Sequence, residues 1–213
     1  MFTTSSVGAV VGTYVSVLVL LSVLASVGSI VTYIIIVVAN RAEPDPSGTR
    51  TSAIYHVGTA FIALWLEIAG AITIFVTLFN LIGTGSTTFF SNEIHPLRDS
   101  TIRGITIGIL LSLVGGYTAI SHRSKAIDLA NVDPAGPSSR VLRSYAAVVS
   151  FISIVVVVVT LLAFAWSALG QIAPGVYETG GRIQDLRNLL DEAAVLVIFT
   201  WVFSTHRRFV GAY

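Results

Sequence analysis

Two stretches of the chain repeat one pattern whose length matches the thickness of a membrane. Arg103 precedes an apolar stretch that ends at His122, and Arg187 precedes another that ends at His206. In each copy 19 positions separate the Arg from the His, and the two copies are offset by 84 residues. As an α-helix such a stretch measures about 28 Å, close to the ~30 Å hydrocarbon core of a bilayer. The pattern predicts two membrane-spanning helices in a tandem repeat, each with a basic residue at both ends.

The composition also indicates a membrane protein. Hydrophobic residues make up 54% of the chain and charged residues 11%, whereas about 25% of the residues of a soluble domain are charged. The charges lie between long apolar runs, which is typical of a polytopic helical protein. We therefore expect one all-α integral membrane domain over 1–213, with five transmembrane helices at residues 7–39, 53–82, 102–121, 141–170 and 188–205.

The basic residues predict how these helices are oriented. Cytoplasmic loops of membrane proteins carry the excess of Lys and Arg. Eight basic residues fall on one side of the predicted spans and four on the other, which places the N-terminus outside and the C-terminus inside. The two hairpins, in repeats over about 50–125 and 140–208, then run parallel to each other. The eight are Arg41, Arg50, Arg123, Lys125, Arg140, Arg143, Arg207 and Arg208, and the four are Arg98, Arg103, Arg182 and Arg187.

Glu67 is the main candidate for chemistry, because it lies in the middle of an apolar span. An unpaired carboxylate at that depth is costly, so we expect it to be protonated, paired or facing a cavity. One interpretation is a proton or cation site. The other is a neutral carboxylic acid that hydrogen-bonds to a neighbouring helix or subunit. The equivalent position in the second repeat is about Val157, so the carboxyl group is not duplicated.

Three histidines fall near the cytoplasmic ends of the predicted spans: His56, His122 and His206. Histidines at one level of a bundle can ligate haem, a chlorin or a metal ion. Alternatively, a cation at a helix C-terminus balances the helix dipole and anchors the helix at the headgroups. Arg103 and Arg187 are expected to anchor the opposite ends, and Arg187 is also a suitable partner for Asp191.

Small residues recur every four positions along the span at 102–121, and such a groove lets another helix approach closely. We expect this face to pack against a helix of the same chain or of a partner. Its members are Gly104, Gly108, Ser112 and Gly116.

The known catalytic sequence signatures are missing from the chain, and we expect that it is not an enzyme. The sequence has no GxSxG, no HExxH, no P-loop and no dinucleotide-binding glycine pattern. It has no cysteine for a disulfide, a thiolate metal site or a cysteine nucleophile. No motif for binding nucleic acid is present either.

The ends of the two hairpins resemble an uncharacterised bacterial membrane family, a domain of unknown function built from tandem helix hairpins. Its members close each hairpin with an aromatic residue followed by a His-basic pair. The segment from Trp201 to Arg207 fits this signature, and that from Tyr117 to Arg123 fits it more loosely. The resemblance covers about residues 50–208 and implies no activity and no site residues.

The sequence therefore predicts a multi-pass protein of a bacterial cytoplasmic membrane. The expected function is a non-enzymatic accessory or scaffolding subunit that contacts lipid and other membrane proteins, with no cofactor. One alternative is a small transporter or channel that uses Glu67. A further alternative is a haem- or pigment-binding subunit that uses the histidines.

Overall fold

The computed structural model describes residues 34, 44–46, 48–83, 96–132, 134–173 and 181–210. In these residues the chain forms four long helices, which we number in chain order. The predicted first span, 7–39, lies outside the described residues except for Ile34. The helices are α1 (Arg50–Phe79), α2 (Pro96–Val132), α3 (Pro137–Ile172) and α4 (Arg182–Val210).

Three of the described helices are long and apolar enough to cross a membrane. An 18-residue window in each of them has a mean hydropathy of 2.1 in α1, 1.6 in the Asp99–Val132 part of α2 and 2.9 in α3. The predicted span at 188–205 is helical, but α4 is not among these three. Its N-terminal part is rich in charged residues, which shortens its apolar stretch: Arg182, Asp185, Arg187, Asp191 and Glu192.

Two helices run well past their predicted spans. α2 continues from residue 121 to Val132, and α3 begins at Pro137 instead of 141. Hydropathy marks where a helix can leave lipid, but polar residues continue a helix in water as long as their backbone groups stay paired. α3 starts where Gly136 precedes proline, because proline fits the first helical turn.

The four helices run alternately up and down, and each pairs with its neighbour in the chain. The Oγ atoms of Thr49 and Ser138 lie 2.6 Å apart, so α1 and α3 begin at the same end of the bundle. At the other end, Arg187 Nε donates a hydrogen bond of 3.0 Å to the Ile82 carbonyl oxygen. α1 packs mainly on α2 and α3 mainly on α4, and the two hairpins meet through smaller contacts.

The helices α1 and α2 approach so closely that backbone meets backbone. A methyl group added at Gly104 would lie 2.6 Å from Thr77 Oγ1, and one added at Gly108 would lie 2.7 Å from Ile74. The tightest position is Gly115, where the added methyl group would meet the backbone of Glu67 and Ala63. These positions leave no room for a side chain.

Gly115 was not part of the predicted groove, because a repeat of four drifts around a helix that has 3.6 residues per turn. Gly116 is rotated by about 120° from Gly104, whereas Gly115 is rotated by only about 20°. Both positions are buried. Gly115 therefore faces α1 directly, and Gly116 lies at the side of the contact.

The best-packed interior lies toward the end of the bundle where α1 and α3 begin. Small and β-branched side chains dominate there, with Ala53, Ala130 and Val141 fully buried. His206 belongs to the same interior, with only 1% of its surface exposed. A polar ring at that position needs hydrogen-bond partners on both sides.

Candidate functional site

A partly open cavity of about 70 Å³ lies between the four described helices, all of which line it. Four polar side chains face it, one from each helix, and we call them the central polar site: Glu67 (α1), Arg123 (α2), Tyr145 (α3) and His206 (α4). The rest of the wall consists of apolar and aromatic side chains: Leu64, Ala119, Ile120 and Trp201. A carboxyl, a guanidinium, a phenol and an imidazole thus share one small space.

Glu67 is held in place by the close contact between α1 and α2. Ser112 Oγ donates a hydrogen bond of 3.5 Å to the Glu67 carbonyl oxygen. Beside it Gly116 leaves space for the carboxyl group, because a methyl group added there would lie only 3.4 Å from Glu67 Oε1. The side chain is half-buried. The small residues of α2 therefore let Glu67 lie close against this helix.

Arg123 comes from nearer the helix end but reaches the same cavity. It lies two helical turns beyond Gly116 on the same face of α2, about 10 Å along the axis. Side chains on a helix point back toward its N-terminus, so Arg123 extends from that position toward Glu67. Its charge acts on Glu67, Tyr145 and His206. The sequence placed Arg123 only at the cytoplasmic mouth, as one of the eight basic residues.

Tyr145 and His206 form the buried side of the site. The Tyr145 Oη and His206 Nε2 atoms lie 3.1 Å apart, and the rings meet edge to face with their centroids 5.5 Å apart. His206 Nδ1 lies 2.8 Å from the Val202 carbonyl oxygen and must be the donor there. In the neutral tautomer Nε2 then accepts the hydrogen bond of the Tyr145 hydroxyl. His206 is therefore a buried hydrogen-bonding residue and not an anchor at the headgroups.

His56 and His122 lie apart from His206 and contact each other. Their Nδ1 atoms are 3.0 Å apart, and the Tyr55 ring meets the His122 ring edge to face at 5.6 Å between centroids. A hydrogen bond between these two atoms requires that one Nδ1 carries a proton and that the other offers a lone pair. The predicted constellation of three histidines at one level is thus divided into a pair and a single residue. Within the described part of the chain, no group of three or more His, Asp or Glu residues is placed to hold a metal ion.

The basic residues of the opposite end differ from each other. The Arg187 guanidinium donates to the Ile82 carbonyl oxygen and not to Asp191, although its charge still acts on that carboxyl group. Arg103 is exposed. Next to Asp191, Glu192 accepts a hydrogen bond of 3.0 Å from Ser167 Oγ, which joins α3 to α4.

Two members of the central polar site, Arg123 and Tyr145, were not singled out from the sequence. The direction of the Tyr145 side chain depends on how α3 is rotated about its axis, which its apolar sequence does not determine. Arg123 could have been found from its spacing to Gly116, because positions seven apart share a helix face. No family model, no curated protein and no solved structure matches the chain.

Proposed function

We propose that this chain is a small membrane transporter that moves protons, with Glu67 as the group that binds and releases them. The observation that carries the proposal is the position of the Glu67 carboxyl group. It faces a cavity inside an apolar bundle, where Arg123, Tyr145 and His206 also converge. Ionisable groups inside membrane bundles mark proton and ion pathways.

The site can hold Glu67 in either protonation state. When Glu67 is ionised, the Arg123 guanidinium supplies the opposite charge across the cavity. When Glu67 is protonated, its charge disappears, and the cavity can hydrate the neutral acid. The sequence offered no second acidic group at this depth, but the hydrogen-bonded Tyr145–His206 pair supplies a second group that can exchange a proton.

The proposal includes five membrane crossings, with the N-terminus outside and the C-terminus in the bacterial cytoplasm. It also includes the tandem repeat, and two matched ring contacts support it. Tyr55 meets His122 at 5.6 Å in the first hairpin, and Tyr145 meets His206 at 5.5 Å in the second, both edge to face. Because α4 is the least apolar helix, it crosses the membrane with its polar face against α3 and the cavity.

The test is proton movement by the purified protein in liposomes, followed with a pH-sensitive dye inside the vesicles. The buffers contain chloride on both sides, and a pH gradient is imposed. We expect proton movement well above that of empty vesicles, and a loss of at least tenfold in Glu67→Gln, which keeps the shape but cannot ionise. The matched control is Glu192→Gln, a half-buried carboxyl group outside the cavity, which should keep the activity.

Equal rates in Glu67→Gln and the unaltered protein would rule out Glu67 as the proton-binding group. No proton movement, together with co-purification in a fixed ratio with larger membrane proteins, would favour the accessory subunit expected from the sequence. A coloured preparation would instead favour the haem- or pigment-binding alternative.

A further inference from the structure

The Arg123 guanidinium faces the cavity without a hydrogen-bonding partner in the described part of the chain. A guanidinium is always charged and carries five N–H donors. A charge inside a membrane bundle normally pairs with another group or faces water. No direct ion pair joins Arg123 to Glu67 among the described residues, so the guanidinium is available to a polar ligand in the cavity.

The charges around the cavity define when an anion can be held there. Tyr145 and His206 are hydrogen-bonded to each other, and His206 in its neutral tautomer adds no charge to the cavity. With Glu67 ionised, Arg123 and Glu67 cancel, and an added anion would leave one uncompensated negative charge. With Glu67 protonated, the positive charge of Arg123 is unbalanced and an anion neutralises it. In a medium of low polarity the uncompensated states are strongly disfavoured.

The size and the walls of the cavity limit the anion. A cavity of about 70 Å³ has room for a few water molecules or a small ion. The apolar walls formed by Leu64, Ala119 and Ile120 favour an ion that gives up its hydration easily. These features favour a halide or nitrate over a multivalent anion, whose charge the single guanidinium of Arg123 would not neutralise.

We propose that the central polar site binds one small monovalent anion on Arg123, and that the anion binds only when Glu67 is protonated. Anion and proton then cross the membrane together and the movement is electroneutral. This inference rests on the proposed function and names the co-transported ion. It assigns Arg123 as the residue that contacts the anion and Glu67 as the residue that couples it to the proton.

The transport test replaces chloride by gluconate, a large and strongly hydrated anion that the apolar walls disfavour. An inward chloride gradient should drive proton uptake, with the same rate in the presence and absence of valinomycin and potassium. With gluconate we expect a loss of at least tenfold. If the proton rate is the same in gluconate, the anion coupling is wrong while the proton function stands. If no anion supports any proton movement, the proposed function itself fails.

A binding test separates the anion site from transport. The thermal midpoint of the purified protein is followed as nitrate replaces gluconate at constant ionic strength, because a ligand that binds the folded state raises it. We expect nitrate to stabilise the protein at pH 5 much more than at pH 8. Arg123→Gln should abolish this effect, whereas Lys125→Gln, an exposed cation two residues away, should keep it. Equal stabilisation of both variants would overturn the proposal.

Glu67→Gln provides a second readout that does not depend on the folding of an Arg123 variant. Glutamine mimics the protonated carboxyl group, so the variant should bind nitrate equally at pH 5 and pH 8 while it no longer moves protons. Binding that still weakens at pH 8 in this variant would show that another group controls the anion, and would overturn the role of Glu67.

Discussion

The imidazole rings of His56 and His122 face each other across the first hairpin, with their Nδ1 atoms 3.0 Å apart. One Nδ1 donates its proton to the lone pair of the other, so the contact exists only while one of the two Nδ1 atoms is unprotonated. Both rings are half-buried between α1 and α2. The pair therefore makes one end of the hairpin sensitive to acid.

We predict that acidification breaks this hydrogen bond reversibly. When acid protonates both imidazoles, two N–H groups face each other and repel, so the hydrogen bond is lost. The measurement is the nitrogen–nitrogen coupling across the hydrogen bond in protein labelled with ¹⁵N-histidine. We expect the coupling at pH 8 and its loss at pH 5. His206 is the internal control, because its Nδ1 bonds to an oxygen; a coupling that survives at pH 5 would contradict the prediction.

The second prediction concerns the buried Tyr145 hydroxyl. Tyr145→Phe leaves His206 Nε2 buried without its partner, and such a loss typically lowers the free energy of unfolding by about 1–3 kcal/mol. The matched control is Tyr55→Phe, since Tyr55 makes the same ring contact with a histidine but is 60% exposed. Both variants are measured by denaturant or SDS titration of the purified protein. Equal effects would mean that the ring contact matters and the hydroxyl does not.

The third prediction separates two adjacent glycines. Gly115→Ala forces a methyl group into the backbone of α1, and overpacking of this kind costs about 1–3 kcal/mol. Gly116→Ala places its methyl group at 3.4 Å from the Glu67 carboxyl group, which needs only a small shift. Both substitutions gain the same helix propensity, so the difference between their unfolding free energies reports the packing alone. A larger loss in Gly116→Ala would show that the helices are rotated differently.

The sequence predicted the long helices better than the site between them. Apolar runs of membrane-spanning length predicted α1, α2 and α3, although the span expected at 53–82 is displaced by three residues from α1. Rotation about the helix axis is harder to predict, because in a membrane both the lipid-facing and the buried faces are apolar. The convergence of Arg123 and Tyr145 on Glu67 depends on that rotation. Only the glycines of α2 indicated how that helix is rotated. Their strict spacing of four residues predicted that Gly116, and not Gly115, faces the neighbouring helix.

The last prediction compares two basic residues that lie 84 positions apart in the chain, Arg103 and Arg187. Arg187 donates to the Ile82 carbonyl oxygen at the end of α1, whereas Arg103 is exposed. Hydrogen bonds to charged groups contribute about 1.5–3 kcal/mol, so Arg187→Gln should destabilise the protein by about that amount and Arg103→Gln by less than about 0.5 kcal/mol. Because this bond joins α4 to the first hairpin, its loss should also speed proteolysis near residue 182 in detergent. Equal sensitivity of the two variants would mean that both arginines act only as anchors at the headgroups, and that α4 is held by its contacts with α3 alone.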